Sequence, residues 1–284
     1  MMKVIECPRD AMQGIDEFIH TATKIEYLNK LLKVGFHTLD FGSFVSPKAI
    51  PQMRDTAHVL EGLHLDQTDT RLLAIVANRR GAEDACQFGE IAYLGFPLSL
   101  SETFQQRNTN KTIEEAFVTV EEIQTLCLKH SKQAVVYLSM GFGNPYGDPY
   151  EPEIVSSFIQ RLQALGVGIV SLADTVGVAT GDEVRMALKS AISAFPEIEI
   201  GAHLHVSPAN VGDKLQAVFD SGCQRVDGAL RGYGGCPMAK DELVGNMPTE
   251  HIIQALPASD KPWLDGKALK EALQLSSEVF LDLE

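Results

Sequence analysis

Basic residues are the scarce class in this chain. Lys and Arg number 24 against 38 Asp and Glu in 284 residues, a net charge of −14 at pH 7. A surface of that sign argues against general phosphate-backbone binding, which needs clustered Lys and Arg. No nucleic-acid partner is expected, although a local basic cluster could still meet an anionic cofactor. Cysteine is also sparse. Cys7, Cys86, Cys127, Cys223 and Cys236 make five, an odd count with no pair of CxxC knuckles. That argues against a disulfide framework or a structural zinc site and favours buried thiols in a reducing compartment. No run approaches the roughly 18 apolar residues of a membrane span, so no membrane partner is expected. The opening MMKVIECPRD has neither an apolar signal region nor an Arg/Ser-rich transit segment, and the expected location is the cytoplasm. Two more features are missing: a GxGxxG after the first strand, and any linker or low-complexity stretch that would divide the chain.

What is present is alternation. Short β-rich apolar runs occur at residues 3–7, 38–43, 71–76, 91–96, 134–140, 169–175, 198–206 and 226–232. Between most of them lie segments with apolar spacing of i, i+3, i+4, the pattern of a helix with one buried face. In 24-KIEYLNKLLKVG-35, Ile25, Leu28, Leu31 and Leu32 share a stripe and Gly35 ends it. The stretch 112-TIEEAFVTVEEIQTLCLKH-130 opens with Thr112 and Glu115, a capping-box pair. Pro152 early and Gly166 late bracket a third helix, and Thr180 precedes a fourth over 182–195. Eight β-then-α units predict an α/β fold, a (β/α)8 TIM barrel, as one catalytic domain over residues 1–284 with the last helices from about 241. A doubly wound open sheet alternates in the same way but usually with fewer strands, and the missing glycine fingerprint removes the main reason to prefer it.

In such a barrel the chemistry gathers at the C-terminal ends of the strands. Strand one ends in 8-PRD-10, which gives Arg9 and Asp10; Asp40 lies on strand two, Asp174 ends strand six, and His203 and His205 lie on strand seven. Strand eight runs into 232-GYGGCPMAK-240, which holds Cys236. Side chains at i and i+2 of a strand share a face, so His203 and His205 point the same way and Val206 points the other. An isolated His-x-His is more often a hydrogen-bonded core pair than a ligand pair. Acidic residues on other strand ends tip this one towards a divalent metal, with Asp10 supplying a hard oxygen. Cys236 on its glycine-rich loop is either an acid or nucleophile, or a free thiol in a turn. Arg9 is either half of an ion pair with Asp10 or a cation for an oxygen that gains charge. Asp40 and Asp174 either orient the site or cap loop edges.

The pieces 8-PRDAMQ-13, 43-SFVSPKAIPQM-53, 171-SLADTVGV-178, 203-HLH-205, 232-GYGGCPMA-239 and 245-GNMPTE-250 run in family order. On them the chain resembles the 3-hydroxy-3-methylglutaryl-CoA lyase family, within the DRE-TIM metallolyases. The resemblance implies Mg²⁺ or Mn²⁺ and cleavage of an acyl-CoA, 3-hydroxy-3-methylglutaryl-CoA, to acetyl-CoA and acetoacetate. It implies Asp10, His203 and His205 as metal ligands, with Asn246 beside or on the metal. Arg9 would stabilise the acetyl-CoA enolate and Cys236 would protonate it. Asp10 or a site histidine such as His203 would take the hydroxyl proton, and Gln13, Asp40 and Asp174 would line the site. Three positions depart from the family pattern: Val206 replaces an acidic residue, Asp40 a glutamate, and Ile5 a glutamate whose nearest counterpart is Glu6, one residue along. These bear on the exact substrate more than on the fold, the metal or the bond broken.

Two alternatives stand beside this reading: a lyase or aldolase of the same superfamily acting on another 3-hydroxyacyl-CoA or hydroxy acid, and a non-catalytic metal-binding scaffold. Lys48, Arg107 and Lys111 are candidates for holding CoA. Barrels often dimerise, which is a prior for a homodimer, but no residue of the sequence sets the oligomeric state.

Overall fold

Eight parallel strands close on themselves. The structure, a computed structural model, describes residues 1–235, 244–261 and 263–281. In chain order the elements are β1 (Lys3–Glu6), α1 (Pro8–Gln13), α2 (Thr21–Leu32), β2 (Thr38–Ser43), α3 (Thr56–Glu61), β3 (Arg71–Ile75), α4 (Arg79–Ala85) and β4 (Ile91–Ser99). Then come α5 (Glu102–Thr109), α6 (Ile113–Lys129), β5 (Gln133–Ser139), α7 (Pro152–Ala164), β6 (Ile169–Asp174), α8 (Gly181–Ala194), β7 (Glu199–Val206), α9 (Val211–Ser221) and β8 (Arg225–Gly228). A two-residue β9 (Gly245–Asn246) precedes α10 (Thr249–Ala255) and α11 (Gly266–Leu281). Each strand from β1 to β8 pairs with the next in parallel, and β8 returns to β1. This is the predicted TIM barrel. Among the described residues, no helix is long and apolar enough to cross a membrane.

The local signals explain the helices. Thr112 accepts from the Glu115 backbone N–H while the Glu115 side chain accepts from the Thr112 N–H, so α6 begins with the predicted capping box; Thr180 and Glu183 repeat it at α8. Helix α2 stops at Leu32, and Gly35 follows at φ +92°, where a Cβ would meet the Trp263 carbonyl oxygen. Only glycine takes that conformation against that neighbour without strain.

Three expectations need correction. Residues 8-PRD-10 do not end β1. They form the first turn of α1, because Pro8 suits the first position of a helix and its missing N–H costs nothing there. Strand eight stops at Gly228 rather than 232, and the chain turns through a short 3-10 segment in which Arg231 has φ +62°. After residue 243 the chain does not go straight into helix: β9 pairs antiparallel with β7, setting Asn246 opposite His205 and Gly245 opposite Val206.

Alternation sorts the side chains into two layers. Val4, Leu39, Leu72, Leu94, Val170 and Leu204 pack outward against the helices. Leu73, Ile75, Tyr93, Val135, Tyr137 and Ile169 fill the barrel. Val206 is buried in the outer layer, turned away from the two histidines as predicted. Glu6 also faces outward. Its carboxyl accepts from the Leu230 N–H (2.9 Å) and the Thr249 hydroxyl (2.5 Å), tying β1 to the chain's last third. The one-residue offset from Ile5 therefore gives Glu6 a structural task on the far side of the strand.

Candidate active site

At the C-terminal mouth of the barrel lies a cavity of about 430 Å³. Arg9, Asp10, Gln13 and Asp40 line one side of it, and His203 and His205 the other. Helix α1 puts Arg9, Asp10 and Gln13 within one turn, and the face-sharing register of β7 brings both imidazoles to the same space. One potential ligand atom from each of Asp10, His203 and His205 lies within 4.8 Å of the others. The predicted ligand set is therefore assembled, although Asp10 is 193 or more positions from either histidine.

Hydrogen bonds assign the imidazole tautomers. His205 Nδ1 donates to the Thr175 carbonyl (2.9 Å) and His203 Nδ1 donates to Asp227 Oδ2 (3.1 Å), because a carbonyl and a carboxylate can only accept. In each neutral ring the lone pair is then on Nε2. His205 Nε2 is buried and has no partner among the described residues. Burial, aided by the neighbouring His203, pulls the His205 pKa down to about 4, so the ring is neutral at physiological pH. Burial also works to lower His203, but the Asp227 hydrogen bond and the charges of Asp227 and Asp10 outweigh it and raise its pKa. A metal ion at His203 competes with a proton for Nε2. Burial opposes the charge of Asp10, yet Arg9, His203, His205 and the Asn246 hydrogen bond together hold its carboxyl below the usual range. An anionic oxygen and two imidazole nitrogens, one an orphaned buried acceptor, fit a divalent cation.

The other predicted residues fall on both sides of the expectation. Asn246 Nδ2 donates to Asp10 Oδ2 (2.8 Å) and to the Tyr233 carbonyl (2.9 Å), which commits its amide nitrogen and leaves Oδ1 as the atom a metal would meet. Arg9 is clamped. Its Nε and Nη2 reach Asp40 (3.0 and 2.6 Å), and its Nη1 reaches Asp10 (3.0 Å) and Gln13 (2.8 Å). Of its five N–H donors, one on Nη2 stays uncommitted among the described residues. Arg9 is thus both the ion-pair partner of Asp10 and a fixed cation at the cavity wall. Gln13 closes the ring by donating to Asp10 Oδ1 (2.8 Å). Burial lifts the Asp40 carboxyl to about 6 even with the Arg9 guanidinium beside it.

Asp174 does not line the cavity. Its carboxylate is taken up by the Val178 and Ala179 N–H groups (3.0 and 3.1 Å) and by Lys214 Nζ (2.6 Å). Lys214 also donates to the His205 carbonyl (3.0 Å), so Asp174 steadies the backbone of β7 from behind and is not placed to hold substrate. Arg107 lines the cavity, with its guanidinium 4.7 Å from the centre of the Tyr146 ring. Lys111 turns to Thr119, and Lys48 is exposed and does not line the cavity. Cys236 lies outside the described residues. The loop leading to it passes close: a Cβ on Gly234, at φ +91°, would come within 2.9 Å of the Asp10 carbonyl and 2.8 Å of Asn246 Nδ2.

Asp227, Thr175, Lys214 and Tyr137 were not singled out in the sequence. Asp227 left a signal, a carboxylate inside an apolar strand run, whereas what Thr175 offers His205 is a backbone carbonyl, which every residue carries. Cys7 Sγ also comes within reach of His203 and Asp227. Burial, and the nearby carboxylates of Asp227, Asp40 and Asp10, push its thiol well up, which keeps it protonated and a poor ligand.

The HMGL-like family model matches residues 4–279. The chain belongs to the HMGL-like family. It is 33% identical over 258 residues to the cytoplasmic 3-hydroxy-3-methylglutaryl-CoA lyase of Rattus norvegicus, covering 90% of this chain and 74% of that protein. It is 32% identical to a hydroxymethylglutaryl-CoA lyase of Bacillus subtilis, covering 89% and 84%. The crystal structure of the B. subtilis HMG-CoA lyase superposes with a TM-score of 0.90 at 30% identity, covering 98% of this chain and 93% of that one. An Acinetobacter baumannii HMG-CoA lyase in complex with coenzyme A and 3-methylmalate gives 0.89 at 28%, covering 98% and 91%. The expectation of a lyase of this family on a TIM barrel is borne out.

Proposed function

We propose that the protein cleaves 3-hydroxy-3-methylglutaryl-CoA to acetyl-CoA and acetoacetate with a divalent metal, Mg²⁺ or Mn²⁺, held by Asp10, His203 and His205 and approached by Asn246 Oδ1. The observation that carries this reading is the buried, unpartnered Nε2 of His205 converging with His203 and the Asp10 carboxylate. When bound, the metal would polarise the tertiary hydroxyl and lower the cost of its alkoxide. The chain's own groups account for the rest. Breaking the C2–C3 bond leaves its electron pair on the acetyl-CoA fragment, and the thioester oxygen takes the charge as an enolate. The uncommitted Arg9 N–H is a preorganised donor for that oxygen, with Asp40 and Gln13 stopping the guanidinium from reorienting. Cys236 is assigned the proton that completes acetyl-CoA. The base that removes the hydroxyl proton is Asp10 or His203; with its Nδ1 proton on Asp227 and its Nε2 given to the metal, the His203 ring has no free lone pair, which favours the Asp10 carboxylate. An acyl-CoA substrate agrees with the coenzyme A in the A. baumannii structure, and Arg107 on the cavity wall is a candidate for its polar arm.

A Pseudomonas aeruginosa relative, 31% identical over 88% of this chain, is named 3-hydroxy-3-isohexenylglutaryl-CoA/hydroxymethylglutaryl-CoA lyase. That name supports a second substrate reading with a larger group at C3. A coupled assay of acetyl-CoA release tests both. Chelator-stripped protein is returned to Mg²⁺ or Mn²⁺ and offered 3-hydroxy-3-methylglutaryl-CoA and analogues with longer C3 groups. Preference for a longer analogue selects the second reading, and no cleavage of any of them overturns both.

A further inference from the structure

The barrel interior below the candidate metal site is unusually polar. On β8, Arg225 and Asp227 share the inward face, and the register of β7 with β8 sets Asp227 opposite His203. Arg225 is fully buried. Its Nη1 reaches Glu199 (3.4 Å), which is held in turn by Lys3 (2.5 Å). The aliphatic stem of Arg225 crosses β7 at Gly201, where a Cβ would come within 2.9 Å of Arg225 Cδ and 3.1 Å of Ser171 Oγ. Besides His205 Nε2, five buried side-chain polar atoms have no hydrogen-bond partner among the described residues: Arg225 Nε and Nη2, Asp227 Oδ1, Tyr137 Oη and Ser171 Oγ. They form one neighbourhood. Burial works against the Arg225 charge, and Asp227 and Tyr137 lead the groups that sustain it. The Tyr137 and His203 rings stand nearly perpendicular, with ring centres 5.7 Å apart.

A guanidinium cannot shed its charge to escape desolvation, and buried donors and acceptors without protein partners are rare unless internal water serves them. Here unpartnered donors on Arg225 and an unpartnered acceptor on Asp227 lie two residues apart on one strand face, an arrangement that bridging water satisfies. We propose that Arg225 and Asp227, joined by internal water, are positioning residues that fix the His203 ring with its proton on Nδ1 and so set the metal affinity of the site above. The chain of contact runs from Lys3 and Glu199 at the base of the barrel through Arg225 and water to Asp227, and from there to His203. The proposal rests on the metal reading given above.

The test uses the full chain, metal-free and then titrated with Mn²⁺. In wild type, at a pH high enough to leave the His203 ring neutral, its ring ¹⁵N shifts should report the proton on Nδ1, and Asp227→Asn should lose that preference. Mn²⁺ should bind Asp227→Asn about 10–100-fold more weakly, the usual cost of removing a ligand's hydrogen-bonded support. Arg225→Met should show a smaller loss in the same direction, and Arg225→Lys should recover most of it at an unchanged melting temperature. Wild type protonated on Nε2 instead, or Asp227→Asn binding Mn²⁺ within twofold of wild type, overturns the positioning role. The wild-type measurement decides even where a variant does not fold. Wild type that binds no Mn²⁺ overturns the metal reading itself, so the two failures are distinguishable.

Discussion

At the scale of the residue, the site works by committing almost every polar atom and leaving a few free. Arg9 spends four N–H groups on Asp40, Asp10 and Gln13, and His205 spends Nδ1 on Thr175. What remains is one guanidinium N–H and an imidazole Nε2. Replacing His205 by Ala should abolish Mn²⁺ binding at micromolar metal while the protein stays folded; full occupancy by metal analysis would remove it as a ligand. Arg9→Met should lower kcat by about 100- to 1,000-fold, the loss expected for a donor aimed at a developing oxyanion, with far-UV circular dichroism unchanged. Cys236→Ala should lower turnover by a similar factor, as for other positioned proton donors, while Mn²⁺ content stays at wild-type level. Normal turnover in either variant would withdraw its assigned role.

At the scale of the element, the sequence signals were strongest where they were local. Thr112 with Glu115, and Thr180 ahead of 182–195, marked helix starts that the structure places within a residue, because a cap is satisfied by atoms three positions away. Thr112→Ala should cost about 1 kcal/mol, a drop of roughly 2–4 °C in melting temperature for a chain this size. Thr125→Ala, at an exposed position inside the same helix, should cost nothing or stabilise, since its hydroxyl only bonds back to Glu121. Calorimetry of the two variants checks the contrast. The α1 helix and β9 escaped the reading for a related reason. Six and two residues are too short to show a period, and β9 exists only because β7 offers an edge at Val206 and His205.

At the scale of the whole molecule, Glu6 fastens the beginning of the barrel to its end. Burial lifts its carboxyl to about 8 against the pull of Thr249 and Leu230. A group with a raised folded-state pKa holds its proton more tightly in the folded chain, so its stabilisation is complete below about 4.5 and is lost as pH climbs to about 8. Glu6→Gln mimics the protonated form at every pH. The melting temperature of wild type minus that of Glu6→Gln should therefore fall between pH 5 and 8 and level off above. A flat difference would show that Glu6 is ionised in the fold.

By itself the sequence determined the eight β-then-α units, the shared face of His203 and His205, and the outward turn of Val206. These follow from periods of 2 and 3.6 residues, which any short window displays. Only the tertiary structure decided which carboxylates reach the mouth. Asp40 went to Arg9, Asp174 went to Lys214 behind the strand, and Asp227 came beneath His203. Asn246 met Asp10 across 236 positions of chain. Barrel closure and strand register set such meetings, and both depend on contacts summed over the whole ring of strands. Local periodicity tells which face a side chain takes, and the closed ring tells what it finds there.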